Sequence, residues 1–373
     1  MAFAYTPGLR VAYRTVVRKE RRLPLTGETL VNKGDEVTAD TVVARTELPG
    51  NVKMLNIANI LGLPPGDIPE LLTVEEGEVL EEGQALGQSK GLFGLFKNTV
   101  RSPIEGVFES YNRITGQAVL REPPIPVEID AYLNGTVVEI LENEGVIVES
   151  VATYVQGIFG IGGETRGEVK VVTEGPADEL TADLIDDSCR GKVLLGGSFV
   201  SFSTLNTAIE KGVKAIIVGG FDDKDLKEFL GYDLGVAITG HEKKGITLIL
   251  TEGFGRMTMA SETFELLKSR EGMLASVNGA TQIRAGVMRP EVAIPVEGAE
   301  DEKDSGKQAG AMDIGSPVRC IRAPYFGRLG TVAGLPAELQ VLDSEARVRV
   351  LDVKFEDGET VTVPRANVEL IEA

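Results

Sequence analysis

TGETLVNKGDEVTADTVVA, residues 26–44, sets the pattern from which the fold is read: a short apolar run, a glycine turn, then a second apolar run. Three later stretches follow the same pattern: VEEGEVLEEGQAL at 74–86, SPIEGVFESYNRITGQAVL at 102–120, and AYLNGTVVEILENEGVIV at 131–148. The glycines supply the positive φ that tight hairpins demand, and the alternating Val, Leu and Ile positions suit half-buried strands. The four stretches are too degenerate and too unevenly spaced for a solenoid or a propeller. Residues 1–172 therefore read as one β-rich domain. Residues 56–63 form a short helix within it, stopped by Pro64 and Pro65.

These stretches resemble the barrel-sandwich hybrid fold of biotinyl and lipoyl domains, in which phrases such as Asn32-Lys33-Gly34-Asp35-Glu36-Val37 and Glu81-Glu82-Gly83-Gln84-Ala85-Leu86 form the turns of a flattened β-barrel. The opening Leu23-Pro24-Leu25-Thr26-Gly27-Glu28 is similar to the N-terminal domain of the Rnf-type electron-transport subunit. A carrier role would need a modified lysine at a hairpin tip between small or acidic residues. Lys33 stands between Asn32 and Gly34 and reads as a turn lysine.

After an acidic connector at 173–190 the pattern changes. Residues 192–195, 215–218, 235–239 and 246–250 are compact apolar strands, and 201–211, 222–230 and 259–269 have helical spacing. The alternation predicts an α/β layer domain over 191–295. The passage from Lys192 through Gly220 resembles swivelling β/β/α domains, a likeness of fold that carries no function. A small anionic ligand would sit at its strand ends. There Gly196, Gly197 and Ser198 offer backbone N–H groups ahead of a helix with no acid before Glu210. Thr251, Gly253 and Gly255, with Asn278 and Thr281, add hydrogen-bonding loops; turn and capping chemistry is the plainer account of all of them. Asp222, Asp223 and Asp225 cap the helix that follows Gly220 and would repel an anion.

Residues 296–314 are polar and Gly/Ala-rich, and read as a flexible linker. Beyond them, GSPVRCIRAPYFGRLGTV at 315–332 runs from a Gly-opened strand with Val318 and Ile321 into a turn shaped by Gly327 and Gly330, with Val332 on the return. Strands at 347–355 and 360–363 follow, joined by an Asp357-Gly358 hairpin turn. This passage resembles the KOW motif, and residues 315–373 as a whole resemble an SH3-like barrel, with 364–369 matching the single 3₁₀ turn before its last strand. The resemblance implies either RNA binding or docking on a protein partner. Residues 315–335 hold Arg319, Arg322 and Arg328 with no acid, a set that could meet phosphates, and Tyr325 and Phe326 offer stacking faces. The whole module nevertheless carries nine acidic against seven basic residues. Both readings stay open.

The bulk composition bounds the rest. A chain of 373 residues exceeds one core, so an α+β multidomain protein is expected: barrel-sandwich-like N-terminal domain, swivelling α/β central domain, and C-terminal SH3-like (KOW) β-barrel. The net charge of −19 opposes bulk nucleic acid and anionic lipid. Cys189 and Cys320 are far apart, and His241 is the only histidine. No metal site, cofactor or His-based catalytic triad is expected, and a reducing cytoplasm fits best. No stretch approaches the roughly 20 apolar residues of a membrane helix. The function expected is a non-catalytic adaptor whose KOW module docks on a ribonucleoprotein, the transcription machinery or another protein complex. The alternative is a ligand-binding protein or enzyme subunit with its site in the central domain.

Overall fold

A computed structural model describes residues 6–89, 98–231, 244–281, 288–298, 312–320, 324–325, 328–336, 339–341, 347–355 and 357–372. The chain is β-rich and divides into several packed units. Its backbone is the strand Thr6–Arg22, which pairs antiparallel with Gly145–Gln156 from Val11↔Val155 to Arg22↔Gly145. At its other end the same strand pairs parallel with Val368–Glu372, so the two ends of the sequence meet in one sheet.

The four turn-bearing stretches at 26–148 pair in a nested order. The first closes on the fourth, Val37 facing Gly135, and the second closes on the third, Leu80 facing Gly106. The outer unit opens at the hairpin of Val42–Leu48 with Ile125–Asp130, and the inner unit is inserted at the end of that hairpin. Both use one turn design. In the outer unit Asn32 and Asp35 exchange hydrogen bonds (Asp35 N–H to Asn32 O, 3.1 Å; Asn32 N–H to Asp35 Oδ2, 2.8 Å), and the Gly34 N–H reaches Val137 O at 2.7 Å. In the inner unit Glu75 and Glu78 do the same, at 3.1 and 2.9 Å, and the Gly77 N–H reaches Phe108 O at 2.8 Å. A second turn follows in each, Thr38 to Thr41 and Glu81 to Gln84, again closed by the side chain of its last residue. Gly135 and Gly106 let the strand on their other side approach: a Cβ there would lie 2.2 Å from Glu149 O and 2.0 Å from Arg121 O.

The inner unit has its own core of Ile57, Ile68, Leu80, Leu86, Phe108 and Leu120 with their neighbours. Helix α1 (Ile57–Leu61) covers it, capped by the Asn56 side chain and stopped by Gly62 at φ +66°. The helix thus ends at glycine before the two prolines are reached.

In the central body, the strands Glu164–Val171, Val193–Leu195, Ala215–Phe221 and Thr247–Phe254 run parallel. Alternate residues feed opposite faces, as a sheet buried on both sides requires. Ile216, Val218, Leu248 and Leu250 pack with α2 (Phe202–Lys211) and α3 (Asp223–Leu230). Ala215, Ile217 and Ile249 pack toward α4 (Ser261–Lys268) and an antiparallel layer containing Leu274–Asn278 and Glu291–Pro295. Ser201 and Asp222 cap α2 and α3 through their side chains.

Two boundaries fall differently from the sequence reading. The strands of 145–171 pair with Val193–Leu195, Leu274–Asn278 and Glu291–Pro295, so no break in the sheets falls at 172. The stretch 173–190 holds a short strand, Glu179–Leu180, paired with Phe199–Val200, and two 3₁₀ turns. Long-range strand pairing leaves no trace in local composition. The strand read at 235–239 and most of the 296–314 linker lie outside the described residues.

The C-terminal module is an antiparallel set of Pro317–Cys320, Leu329–Gly334, Val350–Phe355, Thr360–Pro364 and Val368–Glu372, with a 3₁₀ turn at Arg365–Asn367. Its last strand returns to the first, Leu370 opposite Val318, over a core that includes Val332, Leu351, Val353 and Phe355.

Candidate functional site: a cleft at the junction of module and body

Arg319 joins the C-terminal module to the body. It sits opposite Glu369 in the module's own sheet, and its Nε donates to Glu369 Oε1 at 3.0 Å. The Nη1 reaches across to the end of the strand Thr247–Phe254, donating to Thr251 O at 3.0 Å, Glu252 O at 2.6 Å and Glu252 Oε2 at 2.7 Å. The three side chains are 1%, 5% and 3% exposed (Arg319, Glu252, Glu369). Glu252 also accepts the Ala260 N–H at the start of α4, at 3.0 Å. One guanidinium thus serves two carboxylates, and the surplus negative charge lies against the positive end of a helix. Buried ion pairs of this kind fix geometry more reliably than they add stability.

Above this junction lies a cavity of 410 Å³. Val11 of the N-terminal strand, Pro317, Leu329 and Phe355 of the module supply apolar walls. Its polar rim combines Ser261, Glu262 and Thr263 from the first turn of α4 with Lys354 from the module. The volume falls within the range of small-molecule pockets.

Among the arginines read as phosphate contacts, Arg319 is closed within the junction, and freeing it requires separating module from body. Arg328 is paired with Asp357 and Glu359, both at 2.7 Å, and lies 3.6 Å from the centroid of the Phe355 ring and 5.8 Å from that of Tyr325. Arg322 and Phe326 lie outside the described residues. Burial pushes the Cys320 thiol up to about 11, against the smaller opposing effect of Arg328.

The loops read as an anion cradle are placed differently again. The Gly196 and Ser198 N–H groups are spent on Ile217 O and Asp178 O, at 2.9 and 2.7 Å. A Cβ on Gly197 would lie 2.3 Å from Asp178 O and 2.6 Å from Gly175 O. The space in front of this turn is therefore occupied by carbonyl oxygens, which repel an anion. Thr251 presents its carbonyl to Arg319, and Gly255 N–H bonds Phe221 O at 2.9 Å, beside Gly253 at φ +146°. Asn278 ends the strand Leu274–Asn278 and its side chain accepts the Ala280 N–H at 2.9 Å, and Thr281, beyond that strand, accepts the Gly160 N–H at its Oγ1 at 2.8 Å. His241 lies outside the described residues.

A second polar cluster had no signal in the sequence. Arg21, 8% exposed, holds Glu164 with two bonds of 2.6 and 2.8 Å and donates to Asp130 O at 2.7 Å. Nearby, Tyr154 donates to Glu291 at 2.7 Å beside Lys19, and burial with the Glu291 carboxylate pushes its phenol upward. Tyr132, buried and at φ +66°, packs against Arg21. The cluster clamps the outer β-unit to the body. Such partners come from five separate strands, and only the fold brings them together. Among the described residues no three His, Cys, Asp or Glu side chains converge to hold a metal, and no helix is long and apolar enough to cross a membrane. Comparison with protein-family models and with curated proteins finds no match to this chain.

Proposed function

We propose that this chain is a non-catalytic adaptor that binds a protein partner, with its KOW-like, SH3-like module held against the central domain as part of one docking body. The N-terminal units, read as barrel-sandwich-like, would extend that body. The observation that carries the choice of protein over RNA is the state of the module's arginines. Arg319 is enclosed by Glu252 and Glu369, and Arg328 is neutralised by Asp357 and Glu359. A phosphate-binding surface needs cations free to displace counterions, and this pair is already matched by carboxylates. The net charge of −19 adds long-range repulsion of a polyanion.

The test is affinity capture of the intact chain from its own cell in RNase-treated and untreated arms, together with titration of single-stranded RNA at several salt concentrations. The adaptor reading expects the same captured proteins in both arms and no saturable RNA binding near 0.15 M salt. Loss of the captured proteins on RNase treatment, or RNA binding with a log–log salt slope of about −2 or steeper, would favour the ribonucleoprotein reading.

A further inference from the structure

The outer and inner β-units share one register, so each position on the outward sheet face of one has a counterpart in the other. In the outer unit one outward row runs Glu36, Thr136, Glu149, Arg18, with the Thr136 hydroxyl donating to Glu36 at 2.7 Å and Arg18 paired with Glu149 at 2.6 Å. The next row sets Glu139 and Glu20 on either side of Ile147. In the inner unit the same two rows read Val79, Val107, Arg121, Val52 and then Ser110, Val119, Met54. Val79 is 73% exposed, Met54 59% and Val52 49%, and Arg121 is paired with Glu109 at 2.8 Å. The turns differ in the opposite sense. Where the outer unit has Asn32, Lys33, Thr38 and Ala39, the inner unit has Glu75, Glu76, Glu81 and Glu82, two on either side of the strand that carries Val79. All four are exposed and in no ion pair among the described residues. The outer unit forms the same backbone with a charged face and a lysine in its turns, so folding requires neither the apolar face nor the acidic border. An exposed apolar patch rimmed by charge marks an interaction surface.

We propose that the outward face of the inner unit docks a short amphipathic helix of a partner protein, apolar on one side and carrying Lys or Arg along its flank. The apolar side packs on Val52, Met54, Val79, Val107 and Val119, and the basic flank meets the four glutamates. The size of the face selects a short partner element over a second copy of this chain. Four strands about 4.8 Å apart and two rows about 7 Å apart give an area on the order of 300 Å². A stable two-chain interface takes about 800 Å² from each partner, and a second copy would bring its own acidic border. The inference rests on the adaptor reading and deepens it, since it gives the partner a surface on residues other than those of the module–body junction.

The probe is a synthetic peptide of about 14 residues, about 21 Å long as a helix, with leucines on one face and lysines along the flank. It is titrated calorimetrically into the full-length chain at about 0.15 M salt. A peptide with glutamate for lysine and one with serine for leucine are the comparison arms. Saturable one-to-one binding of the leucine–lysine peptide is expected, with each comparison peptide about tenfold weaker or more. Met54→Glu with Val79→Glu gives the inner face the outer unit's Glu20 and Glu36. It should weaken binding about tenfold, although the added charge attracts lysine. Glu76→Gln with Glu82→Gln should weaken it about fivefold, an effect that shrinks as salt rises, while Glu20→Gln with Glu36→Gln in the outer unit should change it by less than about twofold. An unchanged thermal midpoint shows that each variant is folded. The inference is overturned if the leucine–lysine peptide does not bind, if the glutamate peptide binds as well, or if both inner-unit variants bind as the parent does. A two-copy assembly in sedimentation that Met54→Glu with Val79→Glu dissociates would also overturn it. Affinity capture separates this inference from the adaptor reading. Proteins captured equally by the parent and by Met54→Glu with Val79→Glu leave the adaptor standing and overturn this surface, whereas a parent that captures none overturns the adaptor reading and this inference with it.

Discussion

The outer and inner β-units of residues 26–148 share their turns and differ in what holds them. The outer core is small and uniform: Val37, Val43, Ala131, Val137, Val146 and Val148. The inner core is larger and made of bigger side chains, with Phe108 where the outer unit has Val137 and Leu80 where it has Val37. Burial stabilises at about 25 cal/mol per Å² of apolar area, so the inner core contributes more to its unit than the outer core does. The outer unit makes up the deficit by leaning on the body through Arg21, Arg166 and Asp130. The neck between the two units is narrow. Gly50 sits where a Cβ would lie 1.9 Å from Glu122 O, and Asn51 O accepts the Glu122 N–H at 3.0 Å. Repetition of a turn pattern therefore sets topology, and the size of the residues between the turns decides how much each copy's core contributes.

The largest effect should come from cutting the outer unit's clamp. Arg21→Met leaves Glu164 without its cation and takes from Asp130 one of its two, Arg166 remaining. Because both carboxylates are partly exposed (36% and 29% of the side chain), the cost falls at the low end for breaking a buried pair, about 3 kcal/mol. Denaturant unfolding should show two transitions, with the loss confined to the body and outer unit. A loss in the inner unit's transition, or none anywhere, breaks the comparison.

A smaller effect should follow from exchanging the two equivalent core residues. Phe108→Val gives the inner unit the outer unit's residue and should cost roughly 2 to 3 kcal/mol, felt only in the inner transition. Val137→Phe overfills the outer core and should cost about 1 to 2 kcal/mol in the body transition. Hydrogen exchange resolved along the chain assigns each loss to its unit.

The four turn-bearing stretches, the helices over 201–211, 222–230 and 259–269, and the strands of the C-terminal module were legible because each is written in local pattern. Ser201 and Asp222 turned out to be caps directly preceding their helices. The nesting was not legible, since a glycine turn states that a strand reverses and not which strand it meets. Arg319 misled for a related reason. Residues 315–335 contain no acid, so a local count leaves the arginine free, whereas its partners Glu252 and Glu369 arrive from elsewhere in the chain. The Gly196–Ser198 turn has the composition of an anion cradle, but whether its amides are free depends on the carbonyls of Gly175 and Asp178, which composition does not place. At the start of α4 the signal was an absence: an alanine where a capping side chain would stand.

The smallest effect tests the feature that the two units share. Gly34 and Gly77 hold the same place in equivalent turns, at φ +95° and +88°, and a Cβ at either would meet nothing within 4 Å. Substitution by alanine therefore carries no packing term, and only the left-handed backbone is penalised, by about 1 kcal/mol. Gly34→Ala should take that amount from the body transition and Gly77→Ala the same amount from the inner one, since the hydrogen bonds each turn makes to Val137 and Phe108 are left in place. Gly106 and Gly135 provide the contrast, because there a Cβ would collide with a backbone carbonyl, of Arg121 or of Glu149. Alanine at these two positions should cost clearly more than at the turn glycines. Equal costs at Gly34 and Gly77 with larger ones at Gly106 and Gly135 would show that the two units share one backbone design beneath different cores. A cost at Gly77 several times that at Gly34 would mean that the inner turn carries a constraint the outer one lacks, and the comparison would have to be redrawn around it.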